Sequence, residues 1–307
     1  MSNNNKHNLV MEARDIVKIY PGTLALDGVS MQIYGGCVNA LVGENGAGKS
    51  TLMKILAGIE KPDQGELLLY KDGISEEVRF SSSRDSVKRG NGIIHQELNL
   101  FENMNVAENI FANQEIIEKN VIRKIDHKAQ EEAAGKVLKK LGQNIDPGTL
   151  VRNLRLGQQQ IVEIAKAVIR DPYILIMDEP SSALSVQEVK VLFRVIEELK
   201  SQGVAIIYIS HRLEEVKELS VYITILRDAK FIDSGKADKF PMNEIIKKMV
   251  GKDPSFFFSH TENYSSDNEI LKVSNVTLRK IGGGYLLNNV SFSLKKGEIL
   301  GIYGLMG

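Results

Sequence analysis

Three short apolar runs, Val38–Val42, Tyr173–Met177 and Val204–Ile209, interrupt a chain of otherwise mixed character. Each lacks the polar alternation of a half-exposed strand, so each reads as a strand buried on both faces, as in a parallel sheet. Elsewhere the apolar period becomes that of a helix. Ile161, Ile164, Ala165 and Val168 predict a helix opening near Gly157, and Thr51–Leu56 predicts one directly after the first strand. Ser185 and Glu188 form an S-x-x-E capping box, opening a helix with Leu192, Val195, Ile196 and Leu199 turned inward. Ala133, Val137, Leu138 and Leu141 give a further amphipathic helix. Met11–Ile33 and Glu66–Arg79 read as a β-rich flank.

The same pattern occurs twice. Residues 26–46, LDGVSMQIYGGCVNALVGENG, and residues 287–307, LNNVSFSLKKGEILGIYGLMG, agree in register at Leu, Val-Ser, Gly and the final G-x-x-G. Upstream, ARDIVKIY and VSNVTLRK correspond with a one-residue slip. Solenoid repeats run roughly 20 to 50 residues, so this far longer spacing points to a duplicated domain. The first copy is expected to fill residues 1–250, with a helical insert over about 97–158. Residues 251–269 mix polar and turn residues and read as a linker, in which Phe256–Phe258 either stay solvated or dock on a domain surface. Residues 270–307 are expected to be the truncated start of the second copy, its apolar run Ile299–Tyr303 leading into a glycine-rich turn.

The first copy carries chemistry at the equivalent turn. GENGAGKST, Gly43–Thr51, fits G-x-x-x-x-G-K-[ST] between a predicted strand and a predicted helix. Such a loop curls its N–H groups around phosphate at the positive end of a helix. Lys49 is placed to bridge the β- and γ-phosphates, and Ser50 to ligate Mg²⁺. YILIMDEP ends a buried strand on two carboxylates. Asp178 is placed to hold the metal and Glu179 to polarise an attacking water; phosphoryl transfer asks for little beyond such positioning and charge.

With these motifs in this order, the chain resembles the ATP-binding subunits of ABC transporters over nearly its whole length. GENGAGKS is the loop, Gln96 in IIHQELNL sits at the Q-loop, LRLGQQQ at the signature, LIMDEP at the Walker B strand, SSALS at the D-loop, and His211 at the switch histidine. Tyr20 falls where the family stacks an aromatic on adenine. The run GQQQIVEIAKA, the HQELNL segment and a second domain opening GLMG resemble tandem-domain importers of monosaccharides of the ribose and galactose type. The resemblance implies an α/β P-loop NTPase core with an antiparallel β flank and a helical insert subdomain. ATP would lie on Tyr20, Gly43, Glu44, Asn45, Gly46, Ala47, Gly48, Lys49, Ser50 and Thr51, and Mg²⁺ on Ser50, Gln96 and Asp178. Lys49, Gln96, Glu179 and His211 would serve hydrolysis. Implied partners are a transmembrane permease, a sugar-binding protein reached through it, and a second ABC domain or second copy, at the cytoplasmic face of the cell membrane. One departure stands out: Arg155 occupies the place of the signature serine, either offering a charged donor to a phosphate or pointing outward. Asn103–Phe111 is either a permease contact or an ordinary helix start.

Composition narrows the alternatives. Lys plus Arg and Asp plus Glu are 39 each, which leaves no basic footprint for nucleic acid. No apolar run approaches the roughly 18 residues of a membrane span, and MSNNNKHN lacks the apolar region of a signal peptide. Cys37, expected in a strand, is the lone cysteine. The histidines show no metal-ligand spacing, and His95 is expected to pack beside Gln96. Two rival readings remain: a soluble ABC ATPase not coupled to transport, and a nucleotide-binding module with little hydrolysis. The neutral charge weighs against the first, Glu179 and His211 against the second. Because the paired signature would come from another domain, the isolated chain is expected to bind Mg-ATP and hydrolyse it slowly unless two copies pair.

Overall fold

The computed structural model describes residues 7–71, 73–118, 124–251, 267–280 and 283–303. It divides into two compact units, Met1–Pro254 and Ser255–Gly307. The linker reading and Phe256–Phe258 fall almost wholly outside the described residues.

The first unit opens on a hairpin of β1 (Leu9–Tyr20) and β2 (Thr23–Tyr34), followed by β3 (Val38–Val42) and α1 (Lys49–Leu56). Strands β4 (Gln64–Lys71) and β5 (Ile74–Val78) return to that hairpin, giving a four-stranded antiparallel sheet ordered β2-β1-β4-β5. Helix α2 (Ser83–Lys88) leads to β6 (Asn91–Ile94); α3 (Val106–Ile110) and α4 (His127–Lys140) form the insert. Then α5 (Leu156–Val168), β7 (Ile174–Asp178), α6 (Val186–Ser201), β8 (Ala205–Ile209), α7 (Leu213–Leu219), the hairpin β9 (Tyr222–Arg227) and β10 (Lys230–Lys236), and α8 (Met242–Val250) follow. The second sheet runs β10-β9-β3-β8-β7-β6, parallel except for its β9–β10 edge.

The three apolar runs are the centre of this second sheet, and the side chains of β7 and β8 alternate between two cores. Leu175 and Met177 of β7, with Ile206 and Tyr208 of β8, face the helices α3 to α6. Ile174, Ile176, Ala205, Ile207 and Ile209 face α1 and the antiparallel flank. Burial on both faces is why neither strand carries polar alternation. In α4 the buried positions are Gln130, Ala134 and Leu138, with Ala133 and Val137 only partly buried against the same core. Helix α5 shares that core with the insert as well as with β6 and β7, so the expected insert boundary near 158 falls inside its first turn. Cys37 is buried but precedes β3 by one residue.

The second unit contains a hairpin of β11 (Glu269–Arg279) and β12 (Tyr285–Lys295). It repeats a detail of β1–β2. Asp15 (φ 48°) and Asn275 (φ 53°) both adopt left-handed backbone, and each donates its N–H to a serine hydroxyl across the hairpin, Ser30 at 2.9 Å and Ser291 at 2.8 Å. Asp15 corresponds to Asn275 but Ser30 to Ser291, so the offset grows by one between the strands; this accounts for the slip in the sequence repeat. The apolar run Ile299–Tyr303 is not a strand, and Ile299 and Tyr303 are almost fully exposed. In the first unit the matching run, β3, is hydrogen-bonded between β8 and β9, and the described residues of the second unit hold no counterpart to these.

Candidate functional site

The glycine-rich loop lies where β3 hands over to α1. Two of its glycines are fixed by close approach: a Cβ at Gly43 would sit 2.5 Å from the Leu226 carbonyl, and one at Gly48 (φ 98°) 2.6 Å from the Ala25 carbonyl. No side chain caps α1, so its first-turn N–H groups are left for a ligand, and an anion suits them. Lys49, 7% exposed, donates to the Gly43 carbonyl at 2.8 Å and the Glu44 carbonyl at 2.9 Å. Burial pulls its pKa below the ordinary lysine value, against the upward pull of Glu179, Asp178 and Glu44.

Across from the loop, β7 ends on Asp178, and Glu179 follows in left-handed backbone (φ 46°). Glu179 donates its N–H to the Ile209 carbonyl at 2.9 Å, and its Oε1 lies 3.2 Å from His211 Nδ1. Burial pushes the Asp178 carboxyl above the ordinary range, and the neighbouring Glu179 charge pushes it further. The cleft between loop and carboxylates, about 620 Å³, is lined by Asn45, Gly46, Gly48, Lys49, Ser50, Thr51, Gln96, Asp178, Glu179 and His211. One space therefore holds a cation at a helix start, two carboxylates, the hydroxyls of Ser50 and Thr51, the amides of Asn45 and Gln96 and an imidazole, which suits an anionic phosphate chain with a divalent cation.

Four of the sequence-derived candidates stand outside this lining. Gly43 and Ala47 are buried beneath the loop, and Glu44 contributes only its carbonyl. Tyr20 donates its phenol to Glu60 Oε2, and Thr51 interacts with the same phenol. The remaining wall is Thr23, Leu24 and Ala25 at the start of β2; no motif marks them, and only the fold brings them there.

The signature segment lies at the start of α5. Arg155 is its N-cap residue, with an exposed side chain, and donates its backbone N–H to Gln158 Oε1 at 3.1 Å. The Gly157 N–H goes to Glu188 Oε1 at 3.0 Å, while Glu188 Oε2 accepts the Ser185 N–H at 2.9 Å. These backbone hydrogen bonds, Ser185 foremost, hold the Glu188 carboxyl below its usual value. The capping box read from sequence thus also reaches a second helix. Within Asn103–Phe111, Asn105 and Glu108 form a reciprocal box that starts α3.

Residues 26–182 match the ABC transporter family. The chain is 44% identical over 301 residues to the ribose import ATP-binding protein RbsA of Rhodopirellula baltica, covering 97% of this chain and 57% of that protein. It is 43% identical over 303 residues to the galactose/methyl galactoside import ATP-binding protein MglA of Clostridium tetani, covering 98% and 58%. It thus spans little more than half the length of these relatives. A crystal structure of a nucleotide-free ATP-binding cassette from an ABC transporter superposes with a TM-score of 0.68 at 25% identity, over 82% of this chain and 98% of that one. Motif order, cleft and cassette fold agree with the family match, and the chain belongs to the ABC transporter family.

Proposed function

We propose that the chain is the ATP-binding and ATP-hydrolysing subunit that couples energy to an importer of a monosaccharide. The observation that carries the hydrolytic part is the single cleft joining Lys49 and the start of α1 to Asp178, Glu179 and His211. Sugar import rests on the relatives, whose names divide among ribose, galactose and xylose at 43–44% identity, so the reading names the monosaccharide class and no single sugar.

In this reading the γ-phosphate of ATP takes Lys49 from the loop carbonyls, and the first N–H groups of α1 close on the other phosphate oxygens. Glu179 accepts the proton of the attacking water, and His211, in contact with Glu179, fixes the direction of that carboxylate. Magnesium fits the residues present. Ser50, Gln96 and Asp178 offer hard oxygen donors in one cleft, and the raised Asp178 carboxyl is what a divalent cation would relieve. Among the described residues no group of three or more His, Cys, Asp or Glu could hold a metal, so the ion would take most of its shell from phosphate and water. When bound, it would neutralise charge on the β- and γ-phosphates.

The proposed partners are a transmembrane permease, a sugar-binding protein acting through it, and a second ABC domain or second copy that completes the ATP site. None of the helices described is long and apolar enough to cross a membrane, so attachment to the cytoplasmic face would come through the permease. Co-expression with the permease, followed by ATPase assays in proteoliposomes with ribose- or galactose-loaded binding protein, tests the whole reading. Turnover should rise when loaded binding protein is added. Turnover indifferent to both permease and binding protein would leave an ATPase uncoupled from transport.

A further inference from the structure

We propose that Glu215 is a positioning residue for hydrolysis, its one buried carboxylate tying together the two loops that carry Glu179 and His211. The inference rests on the hydrolytic reading above. Glu215 lies on α7, 7% exposed, and does not line the cleft. Its Oε2 accepts from the Ser181 hydroxyl at 2.6 Å, the Tyr208 hydroxyl at 2.8 Å and the Ser210 hydroxyl at 3.3 Å. Its Oε1 accepts from Arg212 Nη1 at 3.2 Å, and the Arg212 N–H closes the ring by donating to Ser210 Oγ at 3.0 Å.

These partners are placed where they matter. Ser181 follows Glu179 by two residues on the loop after β7. Ser210 and Arg212 flank His211 on the loop after β8, and Tyr208 fixes the strand below them. A buried carboxylate is costly unless saturated with donors, and this one is saturated by groups from both loops. The charge is therefore spent on relative position: it sets from beneath the 3.2 Å contact between His211 and Glu179. Without it, three buried hydroxyls and a guanidinium lose their common acceptor, and the two loops can drift apart. Misplacement of a reacting group by an ångström can cost about a hundredfold in rate.

The test uses the 307-residue chain with Glu215→Gln, which keeps the shape, and Glu215→Ala, each alone and combined with His211→Ala. Thermal midpoint, Mg-ATP affinity by calorimetry, kcat and KM for phosphate release, and a crystal structure of Glu215→Gln are measured. Glu215→Gln should fold and keep Mg-ATP affinity and KM within about twofold while kcat falls about 10- to 100-fold. In the His211→Ala background the same change should cost less than about twofold more, since the route through His211 is already broken. An unchanged kcat, a loss confined to KM, or full costs multiplying in the double variant would overturn the proposal. Should the unmodified chain alone show no turnover, the site lacks the second domain that completes it, and the crystal structure decides this proposal by itself; the hydrolytic reading falls only if the full transporter also fails to hydrolyse ATP. A His211–Glu179 separation beyond hydrogen-bond reach in Glu215→Gln supports it; an unaltered contact refutes it.

Discussion

Replacing Lys49 by alanine probes the loop most directly. The ammonium is buried and bonded to two loop carbonyls at 2.8 and 2.9 Å. A phosphate at the start of α1 would exchange those neutral acceptors for anionic ones, and a hydrogen bond to a charged group contributes about 1.5–3 kcal/mol. Losing one such bond weakens Mg-ATP binding by about 10- to 150-fold. The fold should suffer much less, within about 1 kcal/mol, because the substitution removes a desolvated charge together with its bonds. Calorimetric titration with Mg-ATP measures the first quantity and thermal unfolding the second. The pH dependence adds a check. Burial lowers the Lys49 pKa in the free protein, so wild-type affinity should fall as pH rises through that depressed value and the ammonium is lost. Lys49→Ala should show no such fall. A Kd unchanged in the well-folded variant would refute the assignment of this loop to phosphate.

The other predictions concern the far side of the cleft and its rim. Glu179→Gln should bind Mg-ATP normally and lose about 10²- to 10⁴-fold in turnover, since the amide keeps the shape but accepts no proton; a variant turning over at the wild-type rate in the full transporter would place the base elsewhere. Asp178→Asn should raise the thermal midpoint of the nucleotide-free protein near neutral pH. The Asp178 pKa is raised on folding, so the stability it contributes is present below the unfolded value and lost as pH climbs through the folded one; the amide escapes that loss. A midpoint difference that grew toward acid pH would contradict this sign. Tyr20→Ala should weaken ATP by about fivefold if its ring stacks on the base at about 1 kcal/mol, and Leu24→Ala serves as the comparison, because Leu24 lines the cleft and Tyr20 does not. Equal affinity in Tyr20→Ala alongside weakened Leu24→Ala would move the base-facing wall to β2.

Much of this architecture is written locally. The runs at β3, β7 and β8 declare themselves because burial on both faces forbids polar residues, and the box at Ser185 and Glu188 declares itself because both partners lie within one turn. What escaped depends on contacts distant in sequence. Nothing near Glu188 announces that its second oxygen takes the Gly157 N–H. The partners of Glu215 are hydroxyls and a guanidinium of ordinary appearance, drawn together only when β7 and β8 pair. Tyr20 is singled out by its position relative to a motif, and nothing local announces that its phenol donates to Glu60 on the connection between α1 and β4. Ile299–Tyr303 has the apolarity of a strand without neighbouring strands to hydrogen-bond, and apolarity alone did not make it one.

The backbone at Glu179 joins these two kinds of information. Consecutive residues of a strand point to opposite faces, so a regular β7 continued by one residue would send Asp178 and Glu179 in opposite directions, one of them toward the core. Both nevertheless line the same cleft. The left-handed turn at Glu179 (φ 46°) breaks the alternation. Such a conformation costs a residue with a Cβ about 1–2 kcal/mol, and it is held by the bond from the Glu179 N–H to Ile209 at 2.9 Å and from the Ser182 N–H to the Glu179 carbonyl at 3.1 Å. Glycine would adopt the turn without that cost but would bring no carboxylate, so the strain is tied to the presence of this side chain. A motif of two adjacent acids after an apolar strand is legible as composition; that they converge on one cleft follows only from the strained turn and from β8 lying beside it to hold it.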